Sequence, residues 1–166
     1  YSPEFQDVRQ AIGATEHVIP MVRLHDFGGE PNPNHPGMKA MRLFLKKRCE
    51  HSDVKFEEAF EEGAADILIN ASGGLPRNLL IFVQKATSFF DKLPVTAGTA
   101  QQTIRSEAIA IGRGIPDEHW EALRKSEKPC DDCPTDEMHR DMLFLLYLFE
   151  YVNGRCWFEV NPILRA

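Results

Sequence analysis

From residue 37 to residue 150 the chain reads as helix after helix, cut by glycine and proline at the junctions, and the sharpest cut is Ser72-Gly73-Gly74-Leu75-Pro76. Glycine there supplies a left-handed C-cap for the helix before it, and proline opens the helix after it, where a missing N–H costs nothing. Short packed helices follow from such punctuation. Met38, Met41, Leu45 and Cys49 share one face of a first helix, with Lys39, Arg42, Lys46 and Lys47 mostly on the solvated side. Phe56, Phe60, Ala64, Ile67, Leu68 and Ala71 form the stripe of a second, predicted to run unbroken into the glycines. The third carries Leu79, Leu80, Val83, Ala86, Phe90 and Leu93 and stops at Pro94. Thr99 is placed to cap a fourth through Gly112, and Pro116-Asp117-Glu118 to start a fifth with acids at the positive end of its dipole.

Thr135, followed by Asp136 and Glu137, caps a last long helix with Met138, Met142, Leu145, Leu146 and Phe149 facing inward. Phe144, Tyr147 and Leu148 cover its other faces, so it is expected to be buried nearly all round, or pressed against a partner, at the centre of a second core. Before the helices, Glu16 to His25 reads as a short buried strand, and Asp26 to Gly37, with three glycines and three prolines, as an irregular connection. After them, Asn153-Gly154 between Phe149–Val152 and Arg155–Phe158 predicts a hairpin closed by a two-residue type I′ turn. A helix feeding a terminal hairpin suggests a winged-helix-like module. The expected divisions are 1–36, 37–115 and 116–166, in a mainly α chain.

With 166 residues, 43% of them apolar, the chain can bury a real core but is too short for a complete multi-domain enzyme. Opening at Tyr1, it reads as a fragment. Its longest apolar run, Met142 to Phe149, falls far short of the ~20 residues of a membrane helix. No signal segment opens it, so a cytoplasmic origin and no membrane partner are expected. The net charge of −6 makes autonomous, charge-driven binding of nucleic acid unfavourable. Residues 51–72 are strongly acidic, and only residues 73–115 are clearly basic, by three charges. Cys130 and Cys133 form one C-x-x-C pair between Pro129 and Pro134, with His139 six residues on, but a structural zinc site commonly needs a second pair. An ordinary loop is the expectation there.

No Gly-Lys dipeptide occurs, so a P-loop is excluded. Asp26-Phe27-Gly28 lacks the glycine-rich loop and H-R-D segment of a kinase, and no G-x-S-x-G, H-E-x-x-H or G-x-G-x-x-G is present. What remains is Arg77. It falls in the first turn of its helix, where a basic residue opposes the dipole and gains nothing from local structure. Either it serves an anionic partner, or it pairs with an acid of residues 57–66; the residue pattern leaves both open.

The string Ser72-Gly73-Gly74-Leu75-Pro76-Arg77-Asn78-Leu79-Leu80 resembles the sensor-2 corner of AAA+ ATPases, especially initiator-like and bacterial relatives whose helical lid precedes a winged helix. The ending from Glu150-Tyr151-Val152-Asn153-Gly154 through Trp157 to Val160-Asn161-Pro162-Ile163-Leu164 is similar to the wing and final strand of those ATPases, with Asn161 where histidine is more usual. The resemblance implies that residues 1–36 end a nucleotide-binding α/β core, 37–115 form a helical AAA+ lid, and 116–166 a winged helix. It implies that Arg77, beside Gly73 and Gly74, senses a γ-phosphate, while ATP and Mg would be held by an upstream P-loop core and none by this fragment alone, which would lack catalytic activity. Two other readings stand beside it. One is a DNA-binding winged helix using Arg155 and Asn153; the other is a docking domain or homo-oligomer built on the last helix with Trp157 or Tyr151 exposed.

Overall fold

Pro36 opens α1 (Pro36–His51), and the His35 ring accepts the Gly37 N–H at 3.1 Å to cap it. The structure is a computed structural model describing residues 21–29, 31–90, 93–126, 136–152 and 156–165. Outside these lie residues 16–20 of the expected strand, Cys130, Cys133, Thr135, and the hairpin tip Asn153-Gly154-Arg155. Met38, Met41 and Leu45 bury the predicted face of α1, each side chain contributing about 1.5–3 kcal/mol by leaving water.

The second predicted helix is two. A single turn, α2 (Phe56–Ala59), stops where the backbone of Phe60 bridges to Val95: Glu61 N–H donates to Val95 O at 2.9 Å and Val95 N–H to Ala59 O at 2.8 Å. Gly63, at φ +78°, then turns the chain into α3 (Ala64–Ala71). A long-range backbone pairing thus overrides the local periodicity. The third helix, α4 (Pro76–Phe90), buries Leu79, Phe82 and Ala86, whereas Leu80 and Val83 are half-buried and Leu93 is exposed. The helix α5 (Ala97–Gly112) is capped by Thr96, whose hydroxyl accepts the Thr99 N–H at 3.1 Å, rather than by Thr99 itself. These five helices enclose the first core.

Pro116 precedes α6 (Asp117–Lys125) as its sequence predicts, and Asp136 caps α7 (Glu137–Phe144) by accepting the His139 N–H at 2.9 Å. This last helix is shorter than expected. The chain leaves it through Leu146, which adopts φ +60°, and Asn161 fixes the turn: its amide N–H donates to Leu146 O at 2.9 Å and its backbone N–H to Tyr147 O at 2.9 Å. Leu145, Leu146 and above all Phe144, 62% exposed, therefore face solvent instead of a core. Met142 alone of the expected inward set lies fully buried in the second core, beside Ile115, Leu123, Leu148 and Val160.

Strands β1 (Leu148–Tyr151) and β2 (Trp157–Val160) form an antiparallel ribbon with Leu148 opposite Val160 and Tyr151 opposite Trp157. Five residues separate that last pair, an odd number, whereas an unbulged two-residue turn leaves an even one. The predicted two-residue register is therefore displaced by one, which decides the faces. Leu148 and Val160 look into the second core; Phe149, Tyr151, Trp157 and Glu159 share the opposite face. A terminal 3-10 helix, Pro162–Arg165, returns Ile163 to the first core, where it is fully buried. Among the described residues the chain is thus mainly helical with one small hairpin.

Candidate functional site

Both glycines of the Ser72–Pro76 corner have positive φ, +58° at Gly73 and +79° at Gly74. The Ser72 hydroxyl donates to Ile69 O at 2.7 Å, and Leu75 N–H to Ser72 O at 3.1 Å, closing the turn that launches α4. The corner is also a docking point. A Cβ at Gly73 would lie 2.3 Å from the Phe149 ring, and one at Gly74 would lie 1.7 Å from Val22 O. The Tyr151 hydroxyl donates to Gly73 O at 2.8 Å, and Val22 N–H donates to Gly74 O at 3.1 Å. Burial pushes the Tyr151 phenol well above its ordinary range, so it stays a neutral donor. The hairpin and the segment entering from Met21 meet at the two glycines.

Arg77 stands exposed in the first turn of α4 and makes no ion pair or hydrogen bond among the described residues. Of the acids in residues 57–66, Asp66 is taken by a two-toothed grip from Arg42, at 2.5 Å and 2.6 Å, and Glu58 by Lys55. The structural alternative raised by the sequence, a local salt bridge, is absent among the described residues. Residues 21–25, read as strand, pair with no neighbouring strand there; the single Val22–Gly74 bond takes the place of a ladder. Trp157 and Tyr151, expected as exposed contact residues, are buried, Trp157 to 1%. Arg155 and Asn153, the DNA-contact residues of the second reading, lie outside the described residues.

Sequence reasoning missed the cluster on the docked face of the hairpin. Glu159, 4% exposed, meets Arg165 at 2.7 Å and the His25 ring at 3.3 Å. His25 stacks on Trp157 with ring centroids 6.0 Å apart, Phe27 and Tyr151 pack on the same indole, and the Arg23 guanidinium lies 5.7 Å from its centroid. The available signal was alternation: in a strand, Glu159 must share a face with Trp157. A charged residue on that inward face needs partners, and they come from a distant segment.

Contact with Glu159 holds the His25 imidazole above its ordinary value of 6.5, against the opposing effect of burial. Burial alone would raise the Glu159 carboxyl, but His25 and Arg165 outweigh it and hold it below 4.5. The raised histidine contributes stability that is complete below 6.5 and lost as pH rises through its folded value. The lowered carboxyl contributes above 4.5 and loses it as pH falls through its folded value. The latch is therefore strongest between those two values. Urea midpoints of the native chain and His25→Gln are expected to differ more at about pH 5.5 than at about pH 8; an equal gap at both would contradict the latch.

Among the described residues no group of three or more histidine, cysteine or acidic side chains is arranged to hold a metal, and no helix is long and apolar enough to cross a membrane. No protein-family model, curated protein or solved structure matches the chain. What the corner offers chemically is an exposed guanidinium at a helix end with no ion pair among the described residues, suited to a bidentate grip on an oxyanion.

Proposed function

We propose that this chain is the C-terminal regulatory part of an AAA+ ATPase, a helical lid followed by a winged-helix-like module. In it Arg77 reads the γ-phosphate of ATP held with Mg by an upstream P-loop core. The observation that carries the reading is the position of Arg77: exposed and without a protein partner among the described residues, it sits four residues from the carbonyl that anchors Tyr151. An arginine fork gains most when three terminal phosphate oxygens are present, so nucleotide state would bias α4. Because Gly73 and Gly74 tie α4 to the hairpin and to the entering segment, a tilt of α4 would move both.

In the protein extended upstream through its core, Arg77→Ala is expected to slow ATP turnover by at least about tenfold, in proportion to a lost charge-assisted contact of about 1.5–3 kcal/mol. Arg77→Lys keeps the charge without the fork and should recover only part of the rate. Unchanged kinetics in Arg77→Ala would remove the sensor role.

A further inference from the structure

A concave site lies between α6 and the C-terminal 3-10 helix, and Arg77 does not line it. It is a cleft of about 530 Å³ lined by Trp120, Leu123, Arg124, Val160, Leu164 and Arg165. That volume falls within the range typical of small-molecule sites. Its floor is apolar, from Leu123, Val160 and Leu164, and Trp120 forms an aromatic wall, half-buried with its ring edge seated on Gly112. Among the described residues that line it, the charged groups are both guanidinium. Arg165 is anchored through Glu159, while Arg124 is exposed and makes no ion pair among the described residues.

We propose that this cleft binds an amphipathic organic anion, with a flat aromatic body against Trp120 and Leu123 and a carboxylate, sulfonate or phosphate between Arg124 and Arg165. The α6 dipole explains why a cation suits the last turn of that helix. It does not explain why the guanidinium borders a hollow with an apolar floor and an indole wall. A ligand carrying both an apolar plane and one negative charge suits the apolar floor, the indole wall and the exposed Arg124 together, and stacking on the indole adds to it. A long polyanion is disfavoured by the −6 charge of the whole chain.

The test uses the purified chain and anilinonaphthalene sulfonate, an aromatic sulfonate whose emission rises on leaving water. Saturable binding is expected, with the dissociation constant raised about tenfold in Arg124→Ala. It should also be raised about tenfold for the uncharged phenylnaphthylamine, which lacks the anion. Trp120→Leu, with unchanged circular dichroism, should weaken both probes alike. Phe144→Ser, in the exposed apolar corner on another part of the module, should leave the sulfonate affinity unchanged. Equal affinity in Arg124→Ala, or loss of binding in Phe144→Ser alone, would overturn the proposal. The activity of an Arg77 variant has no bearing on this outcome.

Discussion

Gly74→Ala is expected to lower the free energy of unfolding by about 3 kcal/mol, at least about 1 kcal/mol of it from the close approach of Val22 and the rest from backbone strain. A side chain at φ +79° costs about 1–2 kcal/mol in left-handed strain. The new Cβ would stand 1.7 Å from Val22 O, a backbone atom that cannot swing aside, so residues 21–25 must retreat. Retreat breaks the Val22–Gly74 hydrogen bond, worth about 1 kcal/mol net. Gly63→Ala is the internal comparison. Its φ is +78°, yet nothing lies within 4 Å of its would-be Cβ, so only the strain is incurred. Urea unfolding of the two variants should therefore separate them by at least about 1 kcal/mol. Equal losses would mean that the close approach of Val22 does not constrain the corner.

Trp157→Ala is expected to cost about 3–5 kcal/mol, the usual loss for a fully buried large aromatic. The indole is the centre on which His25, Phe27 and Tyr151 pack, so its removal uncouples the entering segment from the hairpin as well as opening a cavity. Its Nε1–H has no hydrogen-bond partner among the described residues. Trp157→Phe loses no polar contact there and keeps most of the apolar surface, so it should cost less than half as much by the same urea titration. A phenylalanine variant as damaged as the alanine one would show that the indole N–H is engaged.

Local periodicity made the first-core helices legible. The stripe Met38, Met41, Leu45 is buried as read, because a 3.6-residue repeat fixes a face before any partner is known. The break at Phe60–Gly63 was not legible, since its cause is a backbone pairing to Val95. Leu146 deceived for a related reason: it fits an apolar stripe, but Asn161, from beyond the hairpin, holds it at the exit of α7 with a φ that glycine would normally supply. The hairpin was recognisable from Asn153-Gly154, yet its register, and hence which face carries Glu159, depends on packing against Gly73. For the candidate site, the glycines and Arg77 stood out locally. The His25–Glu159–Arg165 cluster did not, because its members come together only through the docking of the hairpin.

The glycine corner gives Gly73 and Gly74 a full structural explanation, in holding the hairpin and the segment from Met21, and it gives Arg77 none. That contrast makes affinity discrimination the most direct measurement. In a chain extended upstream through the proposed P-loop core, the ratio of ADP to ATP dissociation constants should exceed about tenfold and collapse toward one in Arg77→Ala, with ADP affinity nearly unchanged. A ratio that survives the substitution would contradict the reading of Arg77 as the group that senses the γ-phosphate.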